Sequence, residues 1–110
     1  MARVATTHTL AEIVRHEAAI WNQSGEGEAF ALVDEQASAF QLIIIGWEDD
    51  RRIFDVILHL RLYNGKVWVE HDGLPEGVTD QLLAAGVEQE QIVLAFMPPW
   101  KRPFTTFAVD

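Results

Sequence analysis

The strongest constraint on the fold is the dipeptide Asn64-Gly65, which separates two runs of alternating apolar and polar residues. A two-residue hairpin turn of type I′ requires positive φ at both central residues, and Asn-Gly tolerates this best. The flanking runs, residues 52–63 and Lys66–Asp72, therefore predict two antiparallel strands. Pairing back from the turn places Leu62 opposite Val67, Leu60 opposite Val69, His59 opposite Glu70 and Leu58 opposite His71.

This pairing assigns the side chains of the hairpin to two faces, since successive strand residues point to opposite sides. The predicted core face carries Phe54, Val56, Leu58, Leu60 and Leu62 on one strand, and Val67, Val69 and His71 on the other. The opposite face carries Asp55, His59, Arg61 and Glu70, with Ile53 and Ile57 among them.

Two further strands are predicted upstream, at Glu28–Asp34 and at residues 40–48. The second is apolar on both sides, with Phe40, Leu42 and Ile44 on one and Ile43, Ile45 and Trp47 on the other. A strand of this kind is expected to be central and covered on both faces. Two short helices are not enough to cover both faces of this strand, so we expect a second copy of the chain to cover part of it, as a homodimer. The acidic stretch 48–51 is the expected turn into the next strand.

The predicted helices lie at the two ends of these strands. Residues 9–22 carry an apolar stripe at spacings of three and four, and Thr9 with Glu12 predicts a capping box at its start. A shorter helix is predicted over residues 79–85, stopped by Gly86. Residues 92–96 form an apolar strand or buried extended segment. The sequence thus predicts one α+β domain over residues 1–110, built on an antiparallel meander of about four strands.

Charge and composition exclude several classes of function. The 110 residues include 17 acidic and 8 basic side chains, giving a formal net charge of -9, which disfavours direct binding to DNA phosphates. The absence of cysteine excludes disulfides and thiolate metal sites. No stretch approaches the roughly 20 apolar residues of a membrane span, and no secretory leader is evident. We expect a cytoplasmic protein without a membrane segment.

Candidate chemistry is sparse. His71 and Asp72 are adjacent, but neighbouring strand residues point apart, so they do not form a general-base pair. His59 with Glu70, Asp55 and Asp72 forms the alternative divalent-metal site, although such a polar stripe is more typical of a solvated face. Neither Ser24 nor Ser38 sits in a nucleophile motif. We therefore assign no catalytic, cofactor-binding or metal-binding residue, and expect no cofactor.

Two small basic clusters remain as candidate contact sites. One is Arg51 with Arg52, and the other is Lys101 with Arg102, flanked by Trp100 and Phe104. Aromatic and basic residues together are typical of protein-binding hot spots and of nucleic-acid stacking sites. The acidic net charge favours a protein partner. The third interpretation is that the apolar tail docks on its own domain.

Several segments, taken in order, resemble one family. They are residues 46–52, 58–60, 65–73, 76–78, 82–87, 92–96 and 98–105, the last being Pro98-Pro99-Trp100-Lys101-Arg102-Pro103-Phe104-Thr105. Together they resemble the XisI family, the fdxN-element excision controlling factors of cyanobacteria and some other bacteria. Met97 departs from the family pattern, where His is common, and Pro103 replaces a polar residue.

The resemblance implies a small α+β protein linked to a nuclease-like companion, XisH, and to a recombinase that excises a DNA element during heterocyst differentiation. It transfers no established catalytic residue. Three hypotheses follow: a non-catalytic regulator that binds a XisH-like partner, a DNA-binding excision factor using Arg51, Arg52, Lys101 and Arg102, and a metal-dependent enzyme at His59, Glu70 and Asp72. The first agrees best with the acidic charge.

Overall fold

A five-stranded sheet forms the centre of the computed structural model, which describes residues 6–25 and 27–110. The strands are β1 (Glu28–Asp34), β2 (Ala39–Glu48), β3 (Arg51–Tyr63), β4 (Lys66–Asp72) and β5 (Ile92–Val93), and they lie in that order across the sheet. The first four form the predicted antiparallel meander, whereas β5 pairs parallel to β4. The α+β class is confirmed, with one short strand more than the four predicted.

Helix α1 (Thr7–Ser24) covers one face of the sheet. Its buried stripe is Leu10, Ala11, Ile13, Val14 and Ala18. The predicted capping box at Thr9 is wrong: Thr6 is the N-cap, and its hydroxyl oxygen accepts from the backbone N–H of Thr9 at 3.1 Å. Thr6, Thr7 and Thr9 all have cap-forming side chains, so residue type alone did not distinguish them. Gly25, at φ 76, ends the helix.

The core lies between α1 and the sheet face that carries Phe40, Leu42, Leu58, Leu60, Val67 and Val69, all fully buried. Helix α2 (Thr79–Ala84) closes this layer through Val78 and Leu82. No helix in the described ranges is long and apolar enough to cross a membrane.

The hairpin between β3 and β4 is confirmed near its turn. Asn64 and Gly65 have φ of 52 and 74, and the predicted pairs from Tyr63–Lys66 to Leu60–Val69 are all present. Beyond them a β-bulge shifts the register, so that His59 pairs with His71. The predicted pairs His59–Glu70 and Leu58–His71 are therefore wrong, and His71 is exposed rather than on the core face.

A second bulge lies between β2 and β3, where Leu42 pairs with Leu58 but Ile43 pairs with Val56. The extra residue, Ile57, reverses the alternation of β3 upstream of it. Phe54 and Val56 are consequently exposed, and Ile53 and Ile57 pack against the core instead, which corrects the predicted core face. The carbonyl of Ile57 accepts from the backbone N–H of Gly73 at 2.6 Å, so the bulge is tied to the end of β4.

Candidate protein-interaction surfaces

The C-terminal tail, residues 94–110, docks on its own domain. The backbone N–H of Phe96 donates to the carbonyl of Val69 at 3.2 Å, and that of Ala108 donates to Ile92 at 2.8 Å. Phe107 packs against the core cluster, and Lys66 donates to the backbone carbonyl of Asp110. These contacts show that the tail packs on its own domain at Phe96, Phe107, Ala108 and Asp110.

Arg102 holds the tail in this conformation. Its guanidinium donates to the carbonyls of Met97 at 3.0 Å and of Ala95 and Val109 at 3.3 Å each. The same group lies 5.7 Å from the ring centroid of Trp68, within cation–π range. A side chain that donates to three separate carbonyls fixes the path of the backbone. Arg102 therefore stabilises the conformation of the tail through intramolecular hydrogen bonds.

Around this anchor, two aromatic side chains of the tail point outward. Trp100 is 67% exposed and Phe104, in the 3-10 turn Arg102–Phe104, is 86% exposed. Lys101 places its ammonium 5.2 Å from the ring centroid of Trp100. We call Trp100, Lys101 and Phe104 the tail cluster. Exposed aromatic rings beside a cation have the composition of protein-binding hot spots.

The other basic pair lies elsewhere, at the tip of the β2–β3 hairpin. Arg51 forms an exposed ion pair with Glu48 at 2.9 Å, and Arg52 stacks 5.1 Å from the ring centroid of Trp47. The hairpin tip follows β2, whereas the tail follows β5 at the sheet edge. The six candidate residues thus occupy two places. Three of their four cations already have partners: Arg51 pairs with Glu48, Arg52 donates to the carbonyl of Gly46 at 3.4 Å, and Arg102 donates to backbone carbonyls.

A third surface emerges only from the structure. The sheet face opposite α1 carries seven apolar side chains that no described residue covers fully: Phe30, Leu32, Ile43, Ile45, Trp47, Phe54 and Val56. We call it the open face. Within the described part of the chain the expectation that β2 is covered on both sides is wrong, because both helices pack on the other side. The open face could not be recognised from the residue pattern, since β1 is apolar on both sides.

The polar groups proposed for metal or acid–base chemistry have other partners. Glu70 accepts from Arg61 at 2.8 Å, His59 contacts the Gln41 amide at 2.8 Å, and Asp72 accepts from the backbone of Leu74 and Val78 at 3.2 and 2.8 Å. Asp72 is thereby a turn residue that starts the segment before α2. Within residues 6–25 and 27–110, no three His, Asp or Glu side chains form a group that could hold a metal ion.

Replacing Arg102 by Gln is expected to lower the free energy of unfolding by about 1.5–3 kcal/mol, because hydrogen bonds from a charged donor are lost. The loss is measured by chemical denaturation. Arg51→Gln is the matched control: its ion pair is exposed, so its removal should cost at most about 1 kcal/mol. Equal losses in both variants would contradict the anchoring role of Arg102.

The helix, the bulged meander and the tail define a small α+β domain with two exposed apolar surfaces, the tail cluster and the open face. The chain belongs to the XisI family, whose model, described as XisI protein, matches residues 1–109. Its fold is similar to that of the fdxN element excision controlling factor XisI from Anabaena variabilis ATCC 29413, with a TM-score of 0.79 and 32% identity over 94% of this chain and 95% of that one.

A second crystal structure, of a XisI-like protein from the same organism, has a TM-score of 0.78 and 23% identity, and covers 96% of this chain and 100% of that one. At that identity the likeness concerns the fold. No curated protein matches the chain. The family resemblance and the fold class predicted from the sequence are confirmed.

Proposed function

We propose that this protein is a non-catalytic regulator that acts by binding a XisH-like protein of nuclease fold, in DNA-element excision or a related system of nuclease control in the cytoplasm. The observation that supports it most directly is the tail cluster. Trp100 and Phe104 are exposed on a backbone that Arg102 holds in place, so a partner could bind them without first ordering the tail.

The charge distribution supports a nuclease-like partner. A nuclease presents a basic surface to DNA phosphates, and a protein of net charge -9 is attracted to such a surface before contact. The regulator would then shield the DNA-binding surface of its partner. Direct DNA binding has weaker support, because Arg102 is engaged by carbonyls and Arg51 by Glu48.

The experiment is to mix the purified protein with a purified XisH-like protein and to measure binding by calorimetry at micromolar concentrations. We expect a complex whose affinity falls as salt is raised. No complex under these conditions would reject the proposal. A retardation assay on duplex DNA at low salt tests the DNA-binding alternative, and a shift without the companion protein would favour that alternative.

A further inference from the structure

No segment within residues 6–25 and 27–110 covers the open face, although it is large and apolar. Of its side chains, Trp47 is 66% and Phe54 is 64% exposed, and Phe30, Leu32 and Val56 are exposed as well. With whole aromatic side chains of about 150–250 Å², these residues leave on the order of 500 Å² of apolar surface in water. Patches of this size mark interaction sites in soluble proteins.

The strand register places this surface in rows across β1, β2 and β3. Phe30 pairs with Ile43 and Ile43 with Val56, while Glu28 pairs with Ile45 and Ile45 with Phe54. Directly paired residues share one face. The apolar rows therefore form one continuous surface. With a polar rim around it, this surface reaches the area of about 800 Å² per partner that a stable interface buries.

Charges on the rim are arranged by strand. Glu28 and Asp34 mark the two ends of β1, and Arg52 and Arg61 lie toward the two ends of β3, with the apolar β2 between them. Trp47 and Arg52 pair across β2 and β3, and Ala39 pairs with both Asp34 and Arg61. All four charges thus lie on the face that carries Ile43 and Ile45, where Arg61 also holds its ion pair with Glu70 at 2.8 Å.

This arrangement is complementary to itself. We propose that the open face binds a second copy of this chain, face to face, about a two-fold axis that runs along β2. Such an axis exchanges β1 with β3, so Glu28 lies near the Arg52 of the other copy and Asp34 near its Arg61. A two-fold axis perpendicular to the strands would instead place Glu28 near Asp34 of the other copy, and Arg52 near its Arg61. An arrangement in which the strands of the two sheets cross at right angles would leave two pairs of like charge.

The resulting dimer is an aligned sandwich of two sheets, with the helices on its outer sides and Ile43 and Ile45 of both copies along the axis. It gives β2 the cover on both faces that its two-sided apolar pattern requires. The axis pairs β1, β2 and β3 with the other copy, whereas the tail follows β5, which lies beyond β4 in the sheet. The tail cluster therefore stays available to a heterologous partner. The inference therefore goes beyond the proposed regulatory function and does not depend on it.

Light scattering of the purified full chain at micromolar concentrations tests the proposal. We expect twice the mass of one chain, and Phe54→Lys should give the mass of a single chain. Phe104→Lys is the matched control: the same substitution at an exposed Phe of the tail should leave the dimer intact. A single-chain mass for the unchanged protein, or a Phe54→Lys variant that remains dimeric, would overturn the proposal.

A charge exchange tests the axis. Glu28→Arg and Arg52→Glu should each raise the dissociation constant of the dimer by about 10–100-fold, because each places like charges together. The double variant should restore most of the affinity, since the pair is reversed rather than removed. Failure of the double variant to recover would reject the axis along β2.

Single cysteines give an independent check in a chain without native cysteine. Ile45→Cys should be cross-linked by a short bis-maleimide into a covalent dimer, because both copies of position 45 lie near the axis. Ala19→Cys, on the exposed side of α1, should not. Equal cross-linking at both positions would indicate contact through another surface.

Discussion

Replacing Phe40 by Ala is expected to lower the free energy of unfolding by about 3–5 kcal/mol. Phe40 is fully buried on β2, among the side chains that α1 covers. Its removal leaves a cavity where a ring was packed, and the adjoining strands are hydrogen-bonded on both sides, so the site can collapse only partly. Chemical denaturation measures the loss, which should not depend on protein concentration once dimer dissociation is accounted for.

Phe54→Ala is the informative comparison, because simple alternation of apolar residues puts Phe54 in the same core. The ring is instead 64% exposed on the open face. At concentrations low enough for single chains, the substitution should cost about 1 kcal/mol or less. Where the dimer forms, the cost should rise with protein concentration. A loss as large as that of Phe40→Ala at every concentration would show that β3 continues without a bulge.

The bulge at Ile57 explains why the faces of β3 could not be predicted from the sequence, and the bulge at Glu70 does the same for β4. The turn at Asn64-Gly65 needs positive φ, so residue type marks it, and the pairs next to it followed correctly. A bulge has no such marker here. Ile53, Phe54, Val56 and Ile57 are all apolar, so the alternation fits both phases of the strand. Only the pairing of β3 with β2, which forms when the hairpin folds, selects one of the two phases.

The same distinction applies to the tail. Its apolar and basic composition indicated a contact segment, and the exposure of Trp100 and Phe104 agrees with that interpretation. The internal role of Arg102 was not predictable, because the carbonyls of Ala95, Met97 and Val109 converge only after the chain has turned back on itself. A basic side chain in a loop has the same sequence signature whether it binds a partner or its own backbone.

The double variant Trp100→Ala with Phe104→Ala is expected to abolish measurable binding of the proposed XisH-like partner at micromolar concentrations. Aromatic hot spots contribute about 2–4 kcal/mol each on truncation, which raises a dissociation constant by about 30–1000-fold per residue. Both rings lie largely in water in the free protein, so their removal should change the free energy of unfolding by about 1 kcal/mol or less. Calorimetric titration measures the affinity, and denaturation of the same samples measures stability.

Two variants make the test specific to the tail cluster. Phe96→Ala removes another half-exposed ring of the tail from outside the cluster, and it should change the affinity only a few-fold. Lys101→Ala removes the cation that lies over Trp100 but leaves both rings, so its effect should be intermediate. Light scattering should show every variant with the mass of the unchanged protein, because the proposed dimer pairs β1 to β3, whereas the tail follows β5. If the double variant binds as tightly as the unchanged protein, the partner contacts another surface, and the open face would be the next to test, since a partner bound there would compete with the second copy.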